Sequence, residues 1–99
     1  MSVFTPLLGE AIREARIGRF GLRELAREID ISPTYLSRLE NGYEVRPSDE
    51  IISRLAETLG LSETALYIKA GRLPRKVLDH ISADREMLAK IIDMVESGD

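Results

Sequence analysis

Thr34, Ser37 and Arg38 lie within about one helical turn of one another in the run Ser32 to Arg38. The chemistry open to them is recognition rather than bond making. A guanidinium holds its donors in a planar fork that matches paired acceptors such as guanine O6 and N7, and a hydroxyl or a threonine methyl suits other base edges. The rest of the chain offers little for catalysis. Its one histidine, His80, has no serine or cysteine arranged as a nucleophile beside it, and the chain contains no cysteine. No glycine-rich phosphate loop and no cluster of metal ligands stands out. A binding protein is expected, not an enzyme, with no cofactor and no metal.

Such side chains need a rigid support, and the flanking residues predict one. Leu25, Ala26 and Ile29 recur at helical spacing, with a small alanine where another helix can approach closely. Asp30, Ile31 and Ser32 interrupt the pattern. Ser32 followed by Pro33 starts a second helix, because the hydroxyl caps free N–H groups and proline leaves no N–H unpaired in the first turn. Leu36 and Leu39 then face a core, while Pro33, Thr34, Ser37 and Arg38 fall on other faces. Gly42, just after Asn41, ends the helix as a left-handed cap. Two short helices joined by a tight turn make a helix-turn-helix, whose usual partner is the major groove of DNA.

The segment resembles the Cro and phage-repressor (XRE-like) family. That family's pattern is matched by Leu25, Ala26, Ser32, Leu36, Ser37, Arg38, Leu39, Glu40, Asn41 and Gly42, and its entry to a fourth helix by Arg46, Pro47 and Ser48. The likeness runs from about residue 8 to residue 66. It implies an all-α fold: a five-helix repressor-like DNA-binding domain over residues 1–71, with additional C-terminal helices over residues 72–99. It further implies a sequence-specific transcriptional regulator, expected to be a repressor, that binds a palindromic operator on double-stranded DNA as a homodimer through a recognition helix at about residues 33–41. By the same resemblance Pro33, Thr34, Ser37 and Arg38 contact bases. Arg23, Tyr35, Asn41, Gly42, Tyr43 and Arg46 contact the DNA backbone, and Arg16 and Glu40 form a structural ion pair between the first and third helices. Tyr35 has an alternative in packing on a neighbouring helix.

Leu22 departs from the pattern. It stands where the family commonly has a glutamine that contacts a phosphate, which an apolar side chain cannot do. Either Arg23 takes over from the next position or Leu22 packs the core. Glu44, in the loop before Arg46, carries the wrong sign for DNA unless it turns away or pairs with Arg46.

Apolar spacing predicts the remaining helices. A first begins at Thr5 and Pro6, buries Leu8, Ile12 and Ala15, and ends near Gly18. A fourth is capped by Ser48, has Ile51, Ile52, Leu55, Ala56 and Leu59 inside, and stops at Gly60. A fifth starts at Leu61 and Ser62, closes the core with Ala65, Leu66 and Tyr67, and ends at Gly71. Pro74 opens a short segment with Val77, Leu78 and Ile81, and Ser82 or Asp84 caps a last helix carrying Met87, Leu88, Ile91, Ile92 and Val95. That stripe must be covered. A second copy is one occupant, with Leu88, Ile91, Ile92 and Val95 as the dimer contact, and folding back on the same domain is the other.

Composition sets bounds on these readings. The chain has 99 residues, 43% of them hydrophobic, which suits one small core with an appendage. No run is long and apolar enough to span a membrane, and no basic and apolar leader precedes the first helix, so a cytoplasmic protein is expected. The formal net charge of −3 argues against a nucleic-acid binder until it is located: Asp84, Glu86, Asp93, Glu96 and Asp99 against Arg85 and Lys90 account for all of it. The body is neutral, and a basic face then depends on how its arginines segregate. The acidic tail also keeps open a different class of function, an antitoxin-type interaction module that holds a toxin partner through its C-terminal segment and autoregulates its promoter.

Overall fold

The structure is a computed structural model that describes residues 4–43 and 45–97. Glu44 lies outside the described residues. Seven helices and no strand are found among the described residues: α1 (Phe4–Arg16), α2 (Leu22–Glu28), α3 (Pro33–Glu40), α4 (Asp49–Leu59), α5 (Glu63–Lys69), α6 (Arg75–Ala83) and α7 (Arg85–Ser97). The order and number follow the sequence reading. No described helix is long and apolar enough to cross a membrane.

Side-chain caps start most of these helices. Ser32, Ser48 and Ser62 each accept from the backbone N–H three residues on, at Tyr35 (3.0 Å), Ile51 (3.2 Å) and Ala65 (3.1 Å). Asp84 does the same for Met87 at 3.0 Å, so Asp84 rather than Ser82 caps the last helix. Each cap contributes roughly 1 kcal/mol by satisfying a donor that the helix itself cannot. α2 starts differently. Gly21 has no side chain to offer, and Glu24 reaches back to accept from the Gly21 N–H at 3.2 Å.

The turn between α2 and α3 closes through a non-glycine residue. Asp30 adopts φ 59°, the Asp30 N–H donates to Arg27 O at 3.2 Å, and the Ile31 N–H donates to Ala26 O at 2.9 Å. This is the two-bond ending in which glycine normally holds the left-handed position, and aspartate is among the few other residues that tolerate it. α3 ends the same way with Gly42 at φ 79°.

α1 to α5 enclose one core of Leu8, Ile12, Leu25, Ala26, Ile29, Leu36, Leu39, Ile52, Leu55, Ala56, Leu59 and Leu66. Ala15, Ile51 and Tyr67 lie at its edge, half-buried. Leu22 also packs there, which settles its role on the side of the core. The small residue that matters most between helices is Gly9, where α1 crosses the end of α3. A Cβ built on Gly9 would sit 2.4 Å from Leu39 O and 2.7 Å from Glu40 O, both backbone atoms that cannot rotate away.

α6 and α7 stand apart from this body. They pack on each other, neither contains a buried residue, and the side chains packed on the core stop at Ala70. The shape shows it. The radius of gyration is 15.3 Å and the extents are 45 × 25 × 22 Å, against about 13 Å expected for a compact chain of this length.

Gly9→Ala tests the closest helix crossing. Alanine would favour the helix by under about 1 kcal/mol, but the clash requires α1 and α3 to separate, and a net loss of about 1–3 kcal/mol is expected in urea denaturation. Gly21→Ser, with open space around the new Cβ, is expected to stabilise by a few tenths of a kcal/mol instead.

Candidate nucleic-acid interface

The arrangement starts from the only carboxylate on α3. Glu40 is buried, and Arg16 of α1 meets it with two parallel bonds, Nε to Oε2 at 2.6 Å and Nη2 to Oε1 at 2.9 Å. Arg16 Nη1 also donates to Phe20 O at 3.2 Å. The bidentate bond to Glu40 raises the Arg16 pKa against the opposing effect of burial. Two consequences follow for α3. Its last turn is held against α1, and no free carboxylate remains on its outer surface.

What α3 shows to solvent is the chemistry singled out in the sequence. Pro33, Thr34 and Arg38 are exposed, and Ser37 is half-buried beside them. The Arg38 guanidinium carbon lies 5.8 Å from the centroid of the Tyr43 ring, so the loop after α3 supports that side chain by a cation–π contact. Leu36 and Leu39 are fully buried on the opposite face. The end of α2 is tied to α4 by Arg54 Nη1 donating to Ile29 O at 3.1 Å, and the turn after α1 is tied to the end of α4 by Arg19 Nη1 donating to Leu59 O at 2.8 Å.

The residues expected at the DNA backbone divide into two groups. Arg23, Tyr43 and Arg46 are exposed around the margin of α3. Tyr35, Asn41 and Gly42 have partners within the protein, although Asn41 remains exposed. Tyr35 is half-buried against the core, and burial raises its phenol pKa against the opposing field of Arg72. Asn41 Nδ2 donates to Ser37 O at 2.7 Å and to Ser37 Oγ at 3.3 Å. The N–H of Gly42 donates to Leu39 O at 3.4 Å and that of Tyr43 to Arg38 O at 3.1 Å, so both amides close the helix end.

One residue was missed. Arg27 lies one turn after Arg23 on α2, and the two arginines line an open cleft of about 370 Å³ with Asp30, Ile31 and Pro33, directly beside the start of α3. The four-residue spacing of the arginines was the available signal. His80 is exposed on α6. Among the described residues no group of His, Cys, Asp and Glu could hold a metal ion.

A capped helix with a polar outer face, set behind a second helix and flanked by exposed arginines, defines a helix-turn-helix DNA-binding protein. The family model described as Helix-turn-helix matches residues 12–66, and the chain belongs to this family of XRE-like transcriptional regulators. Two uncharacterized HTH-type transcriptional regulators of Mycobacterium tuberculosis, from strains CDC 1551/Oshkosh and ATCC 25618/H37Rv, are each 36% identical over 66 residues, covering 66% of this chain. The chain spans 46% of the length of these curated relatives. Among solved structures, two crystal structures of the clp gene regulator ClgR from Corynebacterium glutamicum are similar. One is 35% identical with a TM-score of 0.57, covering 72% of this chain and 92% of that one. The other is 30% identical with a TM-score of 0.60 and covers 95% of both chains, which takes in the α6–α7 hairpin. The family and fold are those of DNA-binding transcriptional regulators, not of enzymes.

Two measurements address this framework. With side-chain exposures of 14% for Arg16 and 5% for Glu40, Glu40→Ala leaves a shielded guanidinium without its partner, and a loss of about 3–5 kcal/mol is expected in urea denaturation. The double replacement Arg16→Met with Glu40→Leu is expected to recover most of that loss. The tyrosines contribute a loss of stability at alkaline pH. Burial raises the pKa of Tyr35 and Tyr67 from 10.0, so the folded state holds these phenols neutral. Their contribution is complete below about pH 10 and is lost as the pH rises through the folded values. Thermal unfolding followed from pH 9 upward should show a falling midpoint, with a shallower fall in Tyr35→Phe.

Proposed function

We propose that this protein is a sequence-specific transcriptional repressor that binds a palindromic operator as a homodimer. The observation that carries the reading is the outer face of α3: hydroxyls and one supported guanidinium, with the helix's only carboxylate withdrawn into the pair with Arg16. Arg38 reads a guanine through O6 and N7. Thr34 and Ser37 hydrogen-bond neighbouring base edges, and Pro33 makes apolar contact with a thymine methyl. Arg23, Arg27, Tyr43 and Arg46 hold the phosphates on either side and position the helix without reading sequence.

The dimer is formed by α7. Ile92, Met94 and Val95 are 47%, 69% and 71% exposed, which is costly for a free helix, and Leu88 and Ile91 lie half-buried beside them. To read a palindromic operator, a two-fold contact between such stripes must hold two copies of α3 about 34 Å apart, one helical turn of DNA. Dimerisation also answers the charge problem. A body with no net positive charge makes few phosphate contacts, and two bodies on one duplex add theirs together. Bound across a promoter, the dimer excludes polymerase.

The antitoxin-type reading uses the same exposed α6–α7 surface for a different protein. The match to ClgR over 95% of both chains, hairpin included, favours the regulator, since that protein is a regulator of clp genes.

Selection of bound sequences from random DNA should recover a site with two-fold symmetry. Arg38→Ala is expected to relax preference at one base position in each half-site by about 1–3 kcal/mol. Arg46→Ala is expected to weaken all sequences alike and to lower the slope of log affinity against log salt by about one. Ile92→Glu combined with Val95→Glu should sediment as a monomer with unchanged helix content. An unchanged sequence preference in Arg38→Ala refutes base reading by that residue, and a persistent dimer in the double variant refutes the α7 contact.

A further inference from the structure

Arg72 lies in the connection between α5 and α6. Its backbone N–H donates to Tyr67 O at 2.9 Å, and its side chain then reaches back across the body. Nη1 donates to the carbonyl of Pro47 at 2.5 Å, Nη2 pairs with the Asp49 carboxylate, and the guanidinium carbon stands 5.2 Å from the centroid of the Tyr67 ring. One planar group thus joins the loop between α3 and α4, the first residue of α4, and the outer side of α5. The rigid planar fork serves all three partners at once. The Arg72 side chain is 23% exposed, whereas that of Asp49 is 78% exposed. A pair so open on one side adds little stability.

Its location gives it another role. Residues 70–74 are the only covalent tie between the five-helix body and the α6–α7 hairpin, and no residue of α6 or α7 is buried in the body's core. Pro47 directly follows Arg46, an exposed cation at the margin of α3. The same side chain therefore grips the DNA-facing loop and the root of the hairpin.

We propose that Arg72 is a positioning residue that fixes the angle between the DNA-reading body and the α6–α7 hairpin, and thereby sets the half-site separation that the dimer accepts. The spacing consequence rests on the dimer reading above. In a two-fold dimer any angular error at the root occurs in both arms, and the hairpin's length converts it into displacement of each recognition helix. Changing the separation by one base pair moves a half-site by about 3.4 Å along the duplex and turns it by roughly 35°. A rigid root rejects that change, and a loosened one tolerates it.

The 99-residue chain, which has no cysteine, permits a direct test. Spin labels on Glu57→Cys in α4 and Ala89→Cys in α7, both exposed, report the body-to-hairpin distance when labelled chains are diluted with unlabelled ones. Pulsed electron resonance should give a narrow distribution for the native Arg72, a clearly broader one for Arg72→Gln, and an intermediate one for Arg72→Lys, which keeps the charge but not the fork. On selected operators re-spaced in single base-pair steps, the native dimer should favour one separation over its neighbours by about tenfold. Arg72→Gln should reduce that preference to about twofold, with dimerisation and affinity for a single half-site unchanged. An unchanged distance distribution overturns the positioning role, and an unchanged spacing profile overturns its consequence for DNA. If the native chain sediments as a monomer, the dimer reading falls together with the spacing consequence. The distance measurement still decides whether Arg72 holds the hairpin.

Discussion

The recognition surface depends on the crossing of α1 and the end of α3. Gly9 lets the two backbones meet at a distance no side chain would allow, and one helical stretch further along α1 the Arg16 guanidinium takes both oxygens of Glu40. The first contact sets how close the helices lie, and the second sets which way α3 is turned about its own axis. A buried ion pair is a poor source of net stability, because desolvation offsets most of its attraction. Its value here is orientational. Rotating α3 away from this register would leave two charges shielded from water without partners and would expose Leu36 and Leu39.

From that register the electrostatics of the interface follow. A body with no net positive charge does not look like a DNA binder by composition, but net charge says nothing about where charges point. Glu40 faces inward against Arg16, Glu24 is drawn to the start of α2, and Asp49 is held near Arg72. Arg23, Arg27, Arg38 and Arg46 are left exposed in and around the helix-turn-helix. The formal excess of three negative charges falls within residues 84–99, on and around α7. These three carboxylates are thus engaged with local donors, and the arginines around α3 remain available to solvent.

Much of the local structure was legible in the residues. Serine caps, the proline at the start of α3, the left-handed glycine at its end and the buried leucines are short-range requirements, and the chain meets them within a few residues. Leu22 remained ambiguous because packing against a core and contacting a phosphate are alternatives that only its surroundings separate. Asp30 read as an interruption, and its left-handed backbone became evident only from the bonds of Asp30 and Ile31 back to α2. Asn41 and Gly42 matched a motif, yet their polar groups are engaged within the helix end. A motif records which residue types recur and not which of their hydrogen bonds are already taken.

The sequence alone determined the helix inventory, the helix-turn-helix, the inward and outward faces of α3, and the excess of negative charge in residues 84–99. These follow from periodicity and capping, which act along the chain. Only the tertiary structure decided that Gly9 is the point of closest approach, that Arg27 joins Arg23 beside α3, that α6 and α7 project from the body, and that Arg72 spans from the hairpin's root to Pro47 and Asp49. Each of these joins elements distant in sequence or depends on what a helix finds beside it. Backbone hydrogen bonding cannot encode such neighbours; they emerge when apolar stripes are packed together and the remaining polar groups find partners across the gaps.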